Sequence, residues 1–152
     1  MLKYKRQMNF ADMAIEKRKV DDKFFNSINN IIDWKSIENF INQHYKKGNR
    51  IDGRPAFPGL VLFKLCLLKK WYNLSDNQLV AHVNDSISFT RFINLSLEDE
   101  VPSTGTIKNF RFIMRKKGKY EELLKMVNNK LNDNNIEIQR GTLREAKFIH
   151  KS

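Results

Sequence analysis

Residues 58–72 read PGLVLFKLCLLKKWY, and this stretch decides the interpretation of the fold. Pro58 suits the first turn of a helix, because proline at that position sacrifices no intrahelical hydrogen bond. The helix that continues to about Tyr72 is apolar on most of its circumference. We therefore expect it to form the centre of a helical core. Lys64 and the pair Lys69-Lys70 interrupt the apolar run, which is too short to span a bilayer.

Apolar residues at spacings of three and four predict further helices on both sides of this one. Asp21 and Asp22 are expected to cap a helix that carries Phe24 and Phe25, and Asp33 is expected to cap the next. Ser75 and Ser103 should each cap a helix, because a serine hydroxyl can accept a hydrogen bond from a free backbone N–H. The helices expected after Asp33 cover residues 34–45, 58–72, 75–83, 87–93, 101–118 and 120–132.

The pattern changes near residue 134 to that of short strands. The apolar residues of these strands are Ile136, Ile138, Leu143, Phe148 and Ile149, around a turn at Arg140-Gly141. Two strands alone are marginally stable, so they either fold back on the helices or begin a sheet that is missing, and we favour the second. The sequence predicts an all-α multi-helix bundle over 1–133 and the start of another domain over 134–152.

The charge of the chain indicates a polyanionic partner. Its 28 Lys and Arg residues against 17 Asp and Glu residues give a formal net charge of +11. Such an excess attracts nucleic acid first and an anionic membrane surface second. Compositional drift in an AT-rich genome is the competing explanation, since the chain is also rich in Asn and Ile. Double-stranded DNA is the expected partner, and no membrane association is expected.

Several classes of site are not supported by the residues. Cys66 is the only cysteine, so no intrachain disulfide is expected. The basic residues 1–7 are not followed by the apolar stretch of a signal peptide, which favours a cytoplasmic protein. His44, His82 and His150 lack neighbours at metal-ligand spacing. We expect no metal, no cofactor and no catalytic residue.

The helix over 101–118 and the start of the next one carry the candidate DNA-binding residues. They are Thr104, Thr106, Lys108, Asn109, Arg111, Arg115, Lys116, Lys117 and Lys119. Their hydroxyl, amide, ammonium and guanidinium groups suit phosphate contacts and leave a few donors for base edges. With the short helices before it, this helix resembles a helix-turn-helix. A solvated basic face on an ordinary helix is the alternative.

The face of that helix can be specified further. Lys108, Arg111 and Arg115 are expected to share a face opposite the one that carries Phe110 and Met114. We expect Arg111→Ala or Arg115→Ala to weaken DNA binding and to leave the helical fold intact.

Several stretches, in order and at matching spacing, resemble the opening of transposases of the insertion-sequence-five family. They are GRPAFP at 53–58, the Leu-rich helix with Lys64, WYNLSD at 71–76, FTRFINL at 89–95 and VPSTGTIKNFR at 101–111. The last two are similar to the family's F-x-x-F-x-G-L and V-P-D-x-x-T-I-x-x-F-R signatures. Residues 127–131 and Gly141-Thr142 fit the stretch that follows. The resemblance covers roughly residues 50–147, and residues 1–49 match only in their helical character.

Two residues depart from the family signatures. Ser103 stands where the family has Asp, and Asn94 stands where it has Gly. Either departure is expected to weaken DNA docking.

The resemblance implies an N-terminal helical domain that binds the terminal inverted repeats of a mobile element. In the family, a ribonuclease-H-like domain follows and supplies an Asp-Asp-Glu triad that holds two magnesium ions. Glu145 stands where the first of these aspartates would lie, and the chain ends seven residues later. One carboxylate cannot hold a two-metal site, so Glu145 is not expected to be functional alone. The resemblance thus predicts a transposase truncated before its catalytic domain, and residues 134–152 as that domain's remnant.

Three hypotheses follow. The first is a truncated transposase that still binds DNA, whether a remnant, a frameshifted first frame or an inhibitor that occupies element ends. The second is one half of a split transposase whose catalytic domain is encoded downstream. The third is a stand-alone helix-turn-helix regulator, bound as a dimer to a palindrome. We favour the first, with DNA as partner and either a homodimer or association with a full-length transposase.

Overall fold

The computed structural model describes residues 9–46 and 56–138, together with the backbone of residues 148–150. The regular secondary structure of the described part is helical apart from two short strands, which confirms the predicted all-α class. Its elements are α1 (Phe10–Ile31), α2 (Trp34–His44), α3 (Gly59–Trp71), α4 (Asp76–Asp85), α5 (Ile87–Phe92), α6 (Thr104–Lys116), α7 (Tyr120–Asp133), β1 (Ile136–Ile138) and β2 (Phe148–His150). The expected turn at Arg140-Gly141 and the residues Leu143 and Glu145 lie outside the described residues.

Helix α3 is the centre of the core, as predicted. Eleven of its 13 residues are buried, and it contacts α2, α4 and α6. Pro58 stands one residue before the helix, as its N-cap. Cys66 is a buried free thiol, and burial raises its pKa to about 11.

Lys64 is the one charged residue inside this core segment, at 2% exposure. Its ammonium group donates to the carbonyl of Phe92 over 2.9 Å and lies 4.5 Å from the ring centre of Trp34. Burial lowers the pKa of Lys64 to about 8. The side chain therefore joins α2, α3 and the end of α5 by a hydrogen bond and cation–π contacts, which offset part of the cost of burying an amine.

Gly59 permits the close approach of α2 to α3. A Cβ atom at this position would overlap Cγ2 of Ile41 and lie 3.2 Å from Cδ2 of Tyr45. Ile41 is fully buried and branched, so it has little room to move aside. Glycine at the start of α3 is therefore required by packing.

Gly59→Ala is expected to lower the free energy of unfolding by about 1–3 kcal/mol, because the added methyl group overpacks the interface between α2 and α3. Gly105→Ala is the matched control, since the nearest atom to its Cβ lies 3.8 Å away, and it should be neutral or stabilising. Urea denaturation measures both. Equal stability of the two variants would contradict the packing role of Gly59.

The predicted helix start at Asp21-Asp22 is wrong. Helix α1 begins at Phe10, where Asn9 and Asp12 form a capping box, and it continues through Asp21 without a break. Asp21 is buried at 2% exposure and accepts a hydrogen bond from the hydroxyl of Tyr72 over 3.2 Å. A cap and a buried helix-interior aspartate give the same local sequence signal, and the tertiary contact with Tyr72 decides between them.

The strands lie where the sequence predicts them. β1 and β2 pair antiparallel, with Ile136 opposite His150 and Ile138 opposite Phe148. Ile136 belongs to the hydrophobic core and Ile138 packs against it. β1 thus folds back on the bundle, which is the alternative that we did not favour. A strand can cover the bundle with one face and still begin a sheet, so the further sheet and the boundary at residue 134 remain predictions.

Candidate nucleic-acid interface

Helix α6, which carries most of the predicted DNA-binding residues, has defined ends. The Ser103 hydroxyl accepts a hydrogen bond from the backbone N–H of Thr106 over 3.2 Å, as predicted for the N-cap. At the other end Gly118 adopts φ +69°, and its N–H bonds to the carbonyl of Arg115. The next N–H, from Lys119, bonds to the carbonyl of Met114 over 2.9 Å, which completes a Schellman motif.

The buried face of α6 determines how the helix is oriented about its own axis. Ile107, Phe110 and Met114 are fully buried, so the side chains that reach the surface are determined by the helical period. At about 100° per residue, Lys108, Arg111 and Arg115 lie about 100° from this inner face. The predicted placement of these three opposite the buried face is therefore wrong. They flank the core, and Arg111 is only 13% exposed.

Arg111 forms a bidentate ion pair with Asp76 at the start of α4. Its two terminal nitrogens each donate to one carboxylate oxygen over 3.1 Å. The hydrogen bond to Arg111 holds the pKa of Asp76 below its usual range, and the hydrogen bond to Asp76 raises the pKa of Arg111. Arg111 therefore joins α4 to α6, and its guanidinium group is already engaged within the domain.

The other candidate residues fall into two groups. Lys108, Asn109 and Lys116 are exposed, and Thr104 is half-buried. The rest make contacts within the domain, which still leave part of each cation open to solvent. These contacts are Thr106 with the Ser103 hydroxyl at 3.0 Å, Arg115 over the ring of Tyr120 at 4.9 Å, Lys117 with the carbonyl of His44 at 2.5 Å, and Lys119 with Glu122 at 3.5 Å.

Phe112 is a surface residue that the sequence analysis overlooked. It lies in the middle of the outer face of α6 at 63% exposure, between Asn109 and Lys116 along the helix. An exposed phenylalanine on a basic helix can contact the methyl group of thymine or insert between base steps. The signal was present in the sequence, because position 112 falls outside the three-and-four spacing of Ile107, Phe110 and Met114.

The two departures from the family signatures preserve the backbone geometry. Asn94 adopts φ +67° two residues after the end of α5, and its N–H donates to the carbonyl of Arg91. Asparagine is one of the few residues other than glycine that enter this left-handed region readily. Ser103 caps α6, as aspartate would. Both substitutions therefore keep the backbone conformation that the family residues favour, and their expected effect on DNA docking remains a prediction.

Two kinds of feature are absent from the described residues. No helix in the described ranges is long and apolar enough to cross a membrane. Within residues 9–46 and 56–138, no three or more His, Cys, Asp or Glu residues are grouped so that they could hold a metal ion.

Comparison with protein families identifies the class of this chain. A family model described as a transposase domain (DUF772) matches residues 13–112, from the first turn of α1 to Phe112 in α6. The chain therefore belongs to the transposase-domain family. The match includes α1 and α2, which the sequence analysis assigned to the family only by their helical character. No solved structure matches the chain.

Proposed function

We propose that this domain binds duplex DNA through α6 and the basic residues beside it, at the terminal inverted repeats of an insertion sequence. In this proposal the domain recognises DNA and is not itself an enzyme. The DNA is cut by a ribonuclease-H-like domain of the insertion-sequence-five family. The observation that carries the proposal is the position of α6. This helix is anchored by three fully buried side chains and presents Lys108, Asn109, Phe112 and Lys116 outward.

The chemistry of this outer face suits duplex DNA. The Asn109 amide can donate to and accept from the edge of adenine in the major groove, and Phe112 can contact a thymine methyl group. Lys108 and Lys116 flank these two residues and are placed to neutralise phosphates. The face therefore combines groups that can read base edges with groups that bind any sequence.

Because α6 is anchored at both ends and against α4, it is better suited to recognise a DNA sequence than a generic basic surface is. Ser103 and Gly118 fix the two ends of the helix, and the ion pair between Arg111 and Asp76 holds it against α4. A rigid helix presents its side chains to the DNA grooves with little loss of conformational entropy on binding. We propose a cytoplasmic protein that acts as a homodimer or together with a full-length transposase.

The test is binding to a duplex of the element's terminal repeat and to a scrambled duplex across a salt series. A preference of about tenfold or more for the repeat, with affinity that falls steeply as salt rises, would support the proposal. Weak and equal binding to both duplexes would contradict it. Dimeric binding to a palindrome near the gene's own promoter, without preference for the repeat, would point to a stand-alone regulator.

Asn109→Ala and Phe112→Ala are expected to reduce the preference for the repeat by about fivefold to a hundredfold each, because each removes a base contact. Neither variant changes a charge, so the dependence of affinity on salt should stay as in the wild type. Asn129→Ala, at an exposed position on α7, is the matched control and should keep the preference. An unchanged preference in both α6 variants would refute the reading of bases by this face.

A further inference from the structure

A basic groove lies beside α6 and was not identified from the sequence. It has a volume of about 440 Å³ and lies between the end of α3 and the facing sides of α6 and α7. The polar side chains along it are those of Lys69, Lys70, Asn73, Arg111, Arg115 and Tyr120. Four of these six are cations, and they come from two helices that are separated by about 40 residues in the sequence.

The groove carries a clear excess of positive charge. Asp76, at its edge, is paired with Arg111 and lies 3.9 Å from the ammonium group of Lys69. Lys108 acts on the same carboxylate, because its charge, after those of Arg111 and Lys69, helps to lower the pKa of Asp76. The region therefore holds five cations, the four that line the groove and Lys108, against the one carboxylate of Asp76, which favours an anionic ligand.

The cations are held in position before any ligand binds. Arg111 is fixed by its bidentate contact with Asp76, and the guanidinium group of Arg115 lies over the ring of Tyr120. Lys69 donates to the carbonyl of Leu74 over 3.2 Å. Arg115 and the two lysines keep donors for a phosphate, and the Arg111 guanidinium, engaged with Asp76, contributes positive charge beside them.

We propose that this groove binds the phosphodiester backbone of the DNA whose bases α6 reads, an inference that rests on the proposed function. The groove lies next to the outer face of α6, because Arg111 and Arg115 line it. Lys108 lies on the same side of α6, one turn before Arg111. A backbone strand that passes α6 would therefore continue along Lys69 and Lys70. Contacts of this kind fix the register and orientation of a protein on a duplex and carry no sequence information.

The test compares two double variants that remove the same charge. Lys69→Gln/Lys70→Gln neutralises the groove, and Lys125→Gln/Lys130→Gln neutralises two exposed lysines on α7 outside it. Affinity for the terminal-repeat duplex is measured across a salt series, and circular dichroism confirms that both variants fold. The groove variant should lower the slope of log affinity against log salt by about 2, with at least tenfold weaker binding at low salt. Its preference for the repeat over the scrambled duplex should be unchanged, and the α7 variant should retain the wild-type slope.

The outcomes separate this inference from the proposed function. If the wild type shows no preference for the repeat, the proposed function fails. If the wild type prefers the repeat but the two double variants lose equal slope, the groove assignment is refuted and the function stands. A free phosphate ion has the same chemistry as the phosphodiester backbone, and an NMR titration with inorganic phosphate tests whether the free ion is the ligand. Phosphate that binds in the groove and is not displaced by duplex would overturn the assignment to the DNA backbone.

Discussion

Arg111→Ala is expected to lower the free energy of unfolding by roughly 3 kcal/mol, because it removes both hydrogen bonds to the nearly buried Asp76 carboxylate and leaves it with the weaker contact to Lys69 at 3.9 Å. The two side chains are 13% and 14% exposed and share two hydrogen bonds of 3.1 Å. The sequence-based expectation that this substitution spares the fold is therefore revised. Arg115→Ala, which removes an exposed arginine of the same helix, is the matched control and should cost less than about 1 kcal/mol.

The loss caused by Arg111→Ala should also depend on pH. The pKa of Asp76 is lowered in the folded protein, so its contribution is present above the ordinary value of 3.8 and is lost as pH falls through the lowered value. The difference between wild type and variant should therefore be full at pH 7 and shrink in strong acid. Urea denaturation at a series of pH values measures it. A difference no larger than that of Arg115→Ala, or one that is the same at every pH, would contradict the role given to the pair.

Asp21→Asn is expected to stabilise the protein at neutral pH by up to about 3 kcal/mol. Burial raises the pKa of Asp21 to about 6 from 3.8, so the folded state retains a proton that the unfolded state has released. Stability therefore falls as pH rises from about 4 to about 6 and stays lower above that range. Asparagine removes the buried charge and retains a side-chain oxygen that can accept the hydrogen bond donated by the hydroxyl of Tyr72.

The test follows the unfolding free energy of wild type and Asp21→Asn between pH 4 and pH 8. The two should be equally stable near pH 4 and diverge above it, and Glu16→Gln, at an exposed position of the same helix, is the matched control. Lys17, Asp22 and His82 also influence this carboxyl group, so its titration should be followed directly by carboxyl NMR. Parallel stability curves for wild type and Asp21→Asn would show that Asp21 does not titrate in this range.

Local signals predicted much of the fold. The helix caps at Asp33, Ser75 and Ser103 lie where the sequence placed them, because a cap is a contact between residues three apart. The start of α1 could not be found in that way. Asp21 and Asp22 look like a cap, and only the contact between Asp21 and Tyr72, 51 residues away, shows otherwise.

The candidate site could be proposed from the sequence residue by residue, but the tertiary contacts of those residues could not be predicted. The sequence shows that Lys108, Arg111 and Arg115 share one face of a helix, because their spacing is three and four residues. Their neighbours from other helices, Asp76 and Lys69, could not be identified because tertiary packing alone brings them there. The sequence therefore indicated which helix presents the basic residues and could not indicate that one of them is held by a carboxylate.

The central position of α3 determines the order in which parts of the domain unfold. Residues 60–68 of α3 are all buried, so their amide hydrogens are expected to exchange only when the whole core opens. Residues 10–20 of α1, by contrast, bury no side chain and include the exposed residues Phe10 and Met13. Local fraying there leaves the core and α6 untouched, so the first half of α1 can open and close while the basic face keeps its shape.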